Sequence, residues 1–238
     1  MQLFVRPCVI QGSTLTLTDT EAISQLTRVL RAKKGYQCVV QDQWIRYTIS
    51  CDLITKDRVT STIIAQTHCE QHNAIPLTVI IGIPNKIQKI ELIVQKLTEI
   101  GIDHICLVPM ARSVIPDLST HKLHRLQAII LEAVEQSRSW KCPHIHIMTW
   151  SQILSDYSPT DTAYCHTTAM SSDHQITHPW HNLIIWPEWW FEIKELEILH
   201  QAWYTSVHLP TNILRTETAS ICAWYQLRLR QQTHHLPS

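Results

Sequence analysis

Glycine is scarce in this chain, and tryptophan is unusually common. The 238 residues include 4 glycines and 9 tryptophans, whereas glycine normally makes up about 7% of a protein. Because glycine supplies the backbone conformations that many tight turns require, four glycines are too few for the turns expected in a chain of this length. We therefore ask which positions carry tryptophan where glycine is expected.

Net charge, paired cysteine motifs and long apolar runs are also absent. The 20 basic and 20 acidic side chains balance, which excludes a protein that wraps nucleic acid by its overall charge. The eight cysteines contain no CxxC pair, so we expect reduced thiols. No apolar run reaches the roughly 18 residues of a membrane helix, and the start MQLFVRPCVI lacks the features of a secretory signal. We therefore expect a cytoplasmic protein that binds no membrane.

Fifteen histidines raise the question of a metal site. His121 with His124, or His144 with His146, could be drawn as ligand pairs. Zinc needs three or four converging ligands, and the nearby Cys142 alone does not complete such a set. The alternation of histidine with apolar residues in PHIHIM is typical of a strand. We therefore expect no metal.

The first 72 residues have the pattern of a small β-rich domain. Short β-branched segments at 37–40, 46–49 and 59–64 are separated by polar turns, which predicts strands. The polar stretch 68–76 ends in proline and predicts a linker. We therefore place a domain boundary between residues 72 and 73.

From residue 77 onward, short apolar runs alternate with helical periods. LTVIIGI (77–83) predicts a buried strand, and the apolar residues that follow it recur at three- and four-residue steps. Further strands are predicted at 104–108, 144–148, 162–165, 182–186 and 206–209, and further helices at 119–138 and 216–230. This alternation predicts an α/β fold with a mostly parallel sheet, whose ligands bind beyond the carboxyl ends of the strands.

Three loops at predicted strand ends are candidates for the site: 184–197, 208–210 and 212–220. In the last of these, Thr216 is expected to be the N-cap of a helix, and Glu217 lies in its first turn. The helix dipole favours a carboxylate or a ligand anion there. An ordinary capped helix would have the same pattern.

LRTETA (214–219) is the most specific of several segments that occur in a fixed order. Before it stand the frame xxPExxF (185–191), EQS (135–137), KIELIVQKLTEIGI (89–102) and TRVLRAKKG (27–35). With the opening MQLFVRP, these segments resemble the RsmE family, the SPOUT-class methyltransferases that methylate N3 of a uridine in small-subunit (16S) ribosomal RNA. The resemblance covers nearly the whole chain.

The resemblance implies two domains and a cofactor. Residues 1–72 would form a PUA-like β-barrel that binds RNA, and residues 73–238 a SPOUT methyltransferase domain whose C-terminal part is tied in a trefoil knot. The protein would be a homodimer that binds S-adenosyl-L-methionine in the knot loops and acts on small-subunit rRNA or the assembled 30S particle. The implied cofactor-binding residues are Ile185, Trp186, Pro187, Glu188, Trp189, Trp190, Leu209, Pro210, Ile213, Leu214, Arg215, Thr216 and Thr218.

Two residues of LRTETA are the implied catalytic residues. Arg215 would stabilise negative charge on the uracil oxygens as the N3 proton leaves. Glu217 would order Arg215 or accept that proton. A carboxylate that only caps its helix is the alternative for Glu217.

Other charged residues of the matching segments have simpler alternatives. Those expected to contact RNA phosphates are Arg6, Arg28, Arg31 and Lys33. A solvated surface is the alternative for this group. Lys89, Glu91 and Lys96 lie on one predicted helix, where we expect a network of surface ion pairs.

Tryptophan stands where this family keeps glycine. The family's first knot loop reads GPEGG, and its three glycine positions are occupied here by Trp186, Trp189 and Trp190. Trp203 replaces the glycine of an AGF segment, and Trp44 lies in a turn where the family favours glycine. Each indole adds on the order of 200 Å² of surface. The three in the knot loop are therefore expected to fill the cofactor pocket.

Three explanations account for these tryptophans. The chain could be a catalytically inactive RNA-binding relative, or the indoles could form a platform that stacks bases. Alternatively, the cell reads UGA as glycine, and those codons are written here as tryptophan. We favour the third, because it depletes glycine and raises tryptophan while leaving other motifs intact. It predicts UGA at codons 186, 189, 190 and 203, and UGG at all four would exclude it. A related SPOUT enzyme that acts on tRNA is a weaker alternative, because LRTETA and the VLR segment together match RsmE.

Overall fold

The computed structural model describes residues 1–69, 76–111, 113, 118–166, 180–187, 191–209 and 211–234. The chain forms two compact units. Unit 1 consists of Met1–Asn73 and Val134–Trp140, and unit 2 consists of Ala74–Ala133 and Lys141–Ser238. The segment Val134–Trp140 thus belongs to the same unit as the N-terminal residues, although it lies far from them in sequence.

Unit 1 is built on a six-stranded sheet. Its strands are β1 (Leu3–Val5), β2 (Val9–Gln11), β3 (Thr14–Leu17), β4 (Gln37–Asp42), β5 (Ile45–Ile54) and β6 (Val59–His68). They are arranged in the order β1-β4-β5-β6-β3-β2, and every pair is antiparallel except β1 with β4. A short helix α1 (Thr20–Ser24) continues into a π-helical segment, Gln25–Val29.

The core of unit 1 comes from the alternating apolar residues of these strands. Phe4, Leu15, Leu17 and Ile49 are all fully buried. Alternation places them on one face of the sheet, because successive side chains of a strand point to opposite sides. The three predicted strands are confirmed as parts of β4, β5 and β6. In the predicted linker, residues 70–75 lie outside the described residues.

Unit 2 is a parallel α/β sheet. Its strands are β7 (Thr78–Gly82), β8 (His104–Val108), β9 (His144–Ile147), β10 (Thr162–Cys165), β11 (Asn182–Ile185) and β12 (Thr205–Val207). Its helices are α2 (Ile87–Ile100), α3 (Thr120–Ser137), which ends in unit 1, α4 (Trp150–Asp156), α5 (Ile193–Gln201) and α6 (Thr216–His234). The strand order is β12-β10-β11-β7-β8-β9, and every pair is parallel. The predicted α/β class is therefore confirmed.

Strand β7 lies in the interior of this sheet, and each of its residues is buried. A continuous apolar run is expected for a strand that is covered on both faces. The chain proceeds from β7 outward through β8 to β9, and the later strands lie on the other side of β7. The strand order therefore reverses between β7 and β11, and open α/β sheets bind ligands at the carboxyl ends of the strands beside such a reversal. The trefoil knot that the family resemblance implies stays a prediction.

Helices α2 and α5 end in the same hydrogen-bonding pattern. At the end of α2, the Gly101 amide donates to the Thr98 carbonyl, and the Ile102 amide donates to Leu97. At the end of α5, the Trp203 amide donates to His200, and the Tyr204 amide donates to Leu199. This Schellman motif needs one residue in the left-handed conformation, usually glycine. Gly101 has φ 91° and Trp203 has φ 64°, so a tryptophan occupies the second motif's glycine position.

No helix in the described parts of the chain is long and apolar enough to cross a membrane.

Candidate active site

The carboxyl ends of the parallel strands in unit 2 define one edge of the sheet. Helix α6 packs against β7, β11 and α2. Its residue Glu217 lies 4.0 Å from Lys89, at the start of the helix that follows β7, so the first turn of α6 lies close to that edge. The segments that follow β11 and β12 begin there as well, with Trp186 and His208 respectively. The three loops singled out from the sequence therefore extend from one edge of the sheet or lead into the helix that packs beside it.

Gly82, the last residue of β7, makes this arrangement sterically feasible. A β-carbon on residue 82 would lie 2.6 Å from Pro187 Cδ and 2.8 Å from Pro187 N. Real β-carbons do not approach backbone atoms so closely, so a side chain would displace the segment that leaves β11. The close contact between these two segments therefore depends on glycine at position 82.

Several buried polar atoms at this edge have no hydrogen-bond partner among the residues that the structure describes. They are His208 Nδ1, Thr216 Oγ1 and Glu217 Oε2. The Thr216 residue is 1% exposed. Buried polar atoms normally have partners, because an unpaired one loses its hydrogen bonds to water. The three atoms are therefore suited to binding a polar ligand.

The expected N-cap role of Thr216 is wrong. Helix α6 begins at Thr216, and the carbonyl of Arg215 accepts the amide of Ala219 at 2.8 Å. Arg215 therefore occupies the N-cap position, and the first helical residue is Thr216. A side chain at that position does not fold back over the helix start as an N-cap side chain does. This difference leaves the Thr216 hydroxyl without the partner that capping would have supplied.

The two predicted catalytic residues have different environments. Arg215 is exposed, whereas the Glu217 side chain is 13% exposed. The closest charged partner described for Glu217 is Lys89, with Nζ 4.0 Å from Oε2. The sequence pattern assigned Lys89 to a surface network on its own helix. Its proximity to Glu217 could not be predicted from the spacing of residues along α2.

The remaining predicted cofactor residues vary in exposure. Ile185, Trp186 and Pro187 are buried, Leu209 and Leu214 are half-buried, and Ile213 and Thr218 are exposed. Glu188, Trp189, Trp190 and Pro210 lie outside the described residues. The Trp186 side chain is 5% exposed, so a bulky indole occupies interior space directly after β11. Trp203 is 85% exposed and contributes little to the core.

Glu195 is a positioning residue that the sequence pattern did not reveal. Its carboxylate is buried, and it accepts the backbone amides of Ala111 at 2.9 Å and Glu192 at 2.7 Å. These amides follow β8 and precede α5, respectively. Glu195 therefore connects two backbone segments, one of which flanks the predicted cofactor loop.

The predicted RNA contact by Arg6 is wrong. The Arg6 side chain is 7% exposed, and its guanidinium pairs with Glu135 at 2.7 Å, Asp19 at 3.0 Å and Glu21 at 3.3 Å. Burial raises the pKa of the Glu135 carboxyl, and the adjacent guanidinium opposes that shift. Arg6 thus compensates buried carboxylate charge within unit 1 and has no surface to offer a phosphate.

The other predicted RNA-binding residues are on the surface. Arg28 lies in the π-helical segment, and Arg31 and Lys33 follow it in a loop. All three are exposed. Arg31 has φ 49°, an uncommon conformation for a residue with a β-carbon. The local backbone therefore presents three cations within a short irregular segment of unit 1.

A cavity of about 520 Å³ lies at the opposite edge of the sheet in unit 2. Its lining includes the first residues of β7, β8 and β11, which are Thr78, His104 and Asn182. Burial lowers the pKa of His104, and electrostatic interaction with the nearby His144 lowers it further. The cavity is thus separate from the carboxyl-edge site. In the described parts of the chain, no three histidine, cysteine or acidic side chains are placed to hold a metal ion.

Comparison with known proteins is consistent with this geometry. Residues 71–228 match the family model described as an RNA methyltransferase domain. The chain is 28% identical over 232 residues to the ribosomal RNA small subunit methyltransferase E of Bacillus subtilis, and the match covers 90% of this chain and 89% of that protein.

Two solved structures share the fold over almost their whole length. One is the ribosomal RNA small subunit methyltransferase E from Neisseria gonorrhoeae bound to S-adenosyl methionine, with a TM-score of 0.82, 23% identity and coverage of 96% and 97% of the two chains. The other is a methyltransferase from Legionella pneumophila in complex with the same cofactor, with a TM-score of 0.82, 23% identity and 97% coverage of both chains.

Proposed function

We propose that this chain, which belongs to the RNA methyltransferase domain family, transfers the methyl group of S-adenosylmethionine to N3 of a uridine in small-subunit ribosomal RNA. The observation that carries the proposal is the group of buried polar atoms in LRTETA and at His208, at the carboxyl edge of the sheet, that have no hydrogen-bond partner among the described residues. The similarity to the Bacillus subtilis enzyme supports the substrate class. Such an enzyme would work in the cytoplasm, where ribosomal subunits are assembled.

The residues of the carboxyl edge fit a cofactor with several polar groups. His208 and Thr216 would donate to or accept from it, and the backbone after β11 and β12 would enclose it. When bound, S-adenosylmethionine supplies an electrophilic methyl group, so the protein mainly needs to align the acceptor and exclude water. The start of α6 adds a positive dipole end that favours the cofactor's carboxylate.

Arg215 and Glu217 would act on the uracil. An exposed guanidinium at the mouth of the site can stabilise the negative charge that develops on the uracil oxygens when N3 loses its proton. The Glu217 carboxylate is the candidate acceptor for that proton. With the proton on Glu217, N3 would hold the electron pair that forms its bond to the methyl carbon, while the carbon–sulfur bond of the cofactor would break and leave its electron pair on sulfur.

Unit 1 would bind the RNA through its basic surface. Arg28, Arg31 and Lys33 are exposed in one segment, and contacts of this kind fix the position of an RNA without reading its sequence. The interaction is therefore expected to weaken as the salt concentration rises.

A second copy of the chain is the proposed partner of α6. This helix buries Trp224 and Leu227 on one side, while Tyr225 and Leu229 are 54% and 43% exposed. Leu92 of the neighbouring α2 is 40% exposed. Apolar side chains on the outer surface of two packed helices favour association with another apolar surface, and a symmetric dimer is the simplest form of such association.

A catalytically inactive RNA-binding relative is the alternative function. Its support is the buried indole of Trp186, which takes up interior volume beside the proposed cofactor loop. In this alternative, the basic segment of unit 1 retains its function and the carboxyl edge of unit 2 binds no cofactor.

Calorimetric titration and product analysis separate the two functions. We expect the protein as its own cell translates it, called the natural protein below, to bind S-adenosylmethionine. It should form N3-methyluridine when it is incubated with small ribosomal subunits. Arg215→Lys, which keeps the charge but loses the planar fork, should bind the cofactor while forming the product more slowly. RNA binding without cofactor binding by the natural protein would favour the inactive relative, and methylation at another uracil atom would refute the N3 assignment.

A variant with glycine in place of tryptophan tests the steric effect of the indoles. If the chain as written binds no cofactor, reversion at positions 186, 189 and 190 together should restore binding. Binding by the unmodified chain would instead show that the three indoles leave the site open.

A further inference from the structure

Lys89 lies apart from the other charged residues of α2. Its Nζ is 4.0 Å from Glu217 Oε2, and the two side chains are 25% and 13% exposed. The pair joins the first turn of α2 to the first turn of α6, and these helices pack against each other. Lys89 is thus placed at the edge of the sheet that carries the proposed site.

The other charged residues of α2 pair on its outer surface. Lys96 pairs with Glu99 at 2.8 Å, one turn along the same helix, and both side chains are about a third exposed. Glu91 pairs with Arg125 of α3, and the side chains of Glu91 and Arg125 are 16% and 61% exposed. Exposed pairs of this kind contribute little, because water and salt screen them. The pair formed by Lys89 connects two helices, as the pair of Glu91 with Arg125 does, but both of its side chains are at most 25% exposed. Water and salt therefore screen it less, and its effect on geometry is expected to be greater.

A nearby cation would restrict the position of the Glu217 carboxylate. Its Oε2 is buried and accepts no hydrogen bond from the described residues. The dipole at the start of α6 favours a carboxylate there but does not select one side-chain rotamer. A lysine on the facing helix supplies a directional attraction, which is stronger in a partly buried site than in water. The two charged groups lie 4.0 Å apart, which is close enough for attraction but too long for a hydrogen bond.

We infer that Lys89 is a positioning residue of the methyl-transfer site: it acts through Glu217 and holds that carboxylate where it can accept the uracil proton. The inference rests on the proposed function and adds a residue to it. Lys89 itself need not touch the cofactor or the RNA. Its loss should therefore lower kcat and leave the KM for each substrate nearly unchanged.

A double-mutant cycle in the unliganded protein tests the pair without cofactor or activity. The variants are Lys89→Met, Glu217→Gln and the double variant, each measured by urea denaturation. A direct interaction makes the two changes non-additive, and we expect a coupling of roughly fivefold in the unfolding constant. Lys96→Met with Glu99→Gln is the matched control, because it removes an exposed pair on the same helix, and its coupling should stay within about twofold. Additive effects at positions 89 and 217 would overturn the inference.

Methyl transfer to small ribosomal subunits tests the catalytic consequence. Lys89→Met should lower kcat by about tenfold with each KM within about twofold of the natural value. Lys89→Arg should recover most of the rate, and Lys96→Met should leave it unchanged. In a Glu217→Gln background, Lys89→Met should cause no further loss, because its effect passes through Glu217. Equal rates for Lys89→Met and Lys96→Met, or losses that multiply in the double variant, would overturn the inference.

Failure of the proposed function gives a different result from failure of the inference. If the natural protein binds no S-adenosylmethionine and methylates nothing, the proposed function fails, and a positioning role in catalysis fails with it. If the natural protein is active and only the Lys89 variants behave like their control, the proposed function stands and the inference alone is refuted.

Discussion

Replacement of Trp203 by glycine is expected to stabilise the protein by about 1 kcal/mol. Trp203 has φ 64°, and a residue with a β-carbon in the left-handed region is destabilised by roughly 1–2 kcal/mol. Glycine removes that strain, although its greater freedom in the unfolded chain offsets about 0.4–1 kcal/mol of the gain. The indole is 85% exposed, so its removal sacrifices little buried apolar area. The hydrogen bonds of the Schellman motif involve only the backbone and are retained.

Urea denaturation followed by far-ultraviolet circular dichroism is a suitable assay, because tryptophan fluorescence would itself change with the substitution. In thermal denaturation followed by the same signal, the expected gain should raise the Tm of a chain of this size by roughly 2–4 °C. Trp203→Ala is the matched control, since alanine removes the indole and keeps the β-carbon. It should not show the gain. Equal stabilisation by alanine and glycine would refute the backbone explanation, and no gain with glycine would show that residue 203 is unstrained.

Three further predictions concern buried charged and titratable groups. Arg6→Met leaves Glu135 buried without its cation and should cost about 3 kcal/mol or more. Burial raises the pKa of Glu135 above its ordinary 4.5, so near and above pH 4.5 the folded state binds more protons than the unfolded state. The free energy of unfolding of this variant, measured by urea denaturation at a series of pH values, should therefore fall as the pH rises above 4.5. A flat pH profile would contradict this. Burial lowers the pKa of His104 below 6.5, so the unfolded state protonates first and stability should fall as the pH drops below 6.5. His104→Asn should reduce this dependence of stability on pH. If the Tm of the variant fell with pH as steeply as that of the unsubstituted protein, the prediction for His104 would be wrong. Glu195→Ala removes the acceptor of two backbone amides and should cost about 2 kcal/mol. Chemical denaturation measures this cost. A loss of less than about 0.5 kcal/mol in the free energy of unfolding would show that water replaces the carboxylate as the acceptor.

The position of Trp203 bears on the scarcity of glycine. The same hydrogen-bonding pattern ends α2 with Gly101 and α5 with Trp203, which supports glycine as the residue that this position requires. Trp44 differs, because it does not have a positive φ although it lies in the turn between β4 and β5. The backbone therefore gives support for the UGA explanation at position 203 that it does not give at position 44.

Local patterns in the sequence were sufficient to predict the class of the fold and most of its elements. The buried run at 77–83 and the helical spacing after it gave β7 and α2, because apolar periodicity follows directly from which faces a helix or strand buries. The resemblance carried by LRTETA and its companion segments is confirmed by the family match. These conclusions depend on order and spacing along the chain, which the sequence contains in full.

Only the tertiary structure decided which distant side chains meet. The opening segment suggested a phosphate contact for Arg6, but folding buries its guanidinium against Glu135, which lies 129 residues further along the chain. Likewise, the spacing within α2 assigned Lys89 to a surface network, whereas the packing of α2 against α6 brings it to Glu217. A charged side chain has the same letter whether it faces water or a buried partner. Its role is fixed by the long-range contacts that determine its dielectric surroundings and its counter-charge, and these exist only once the sheet and helices have assembled.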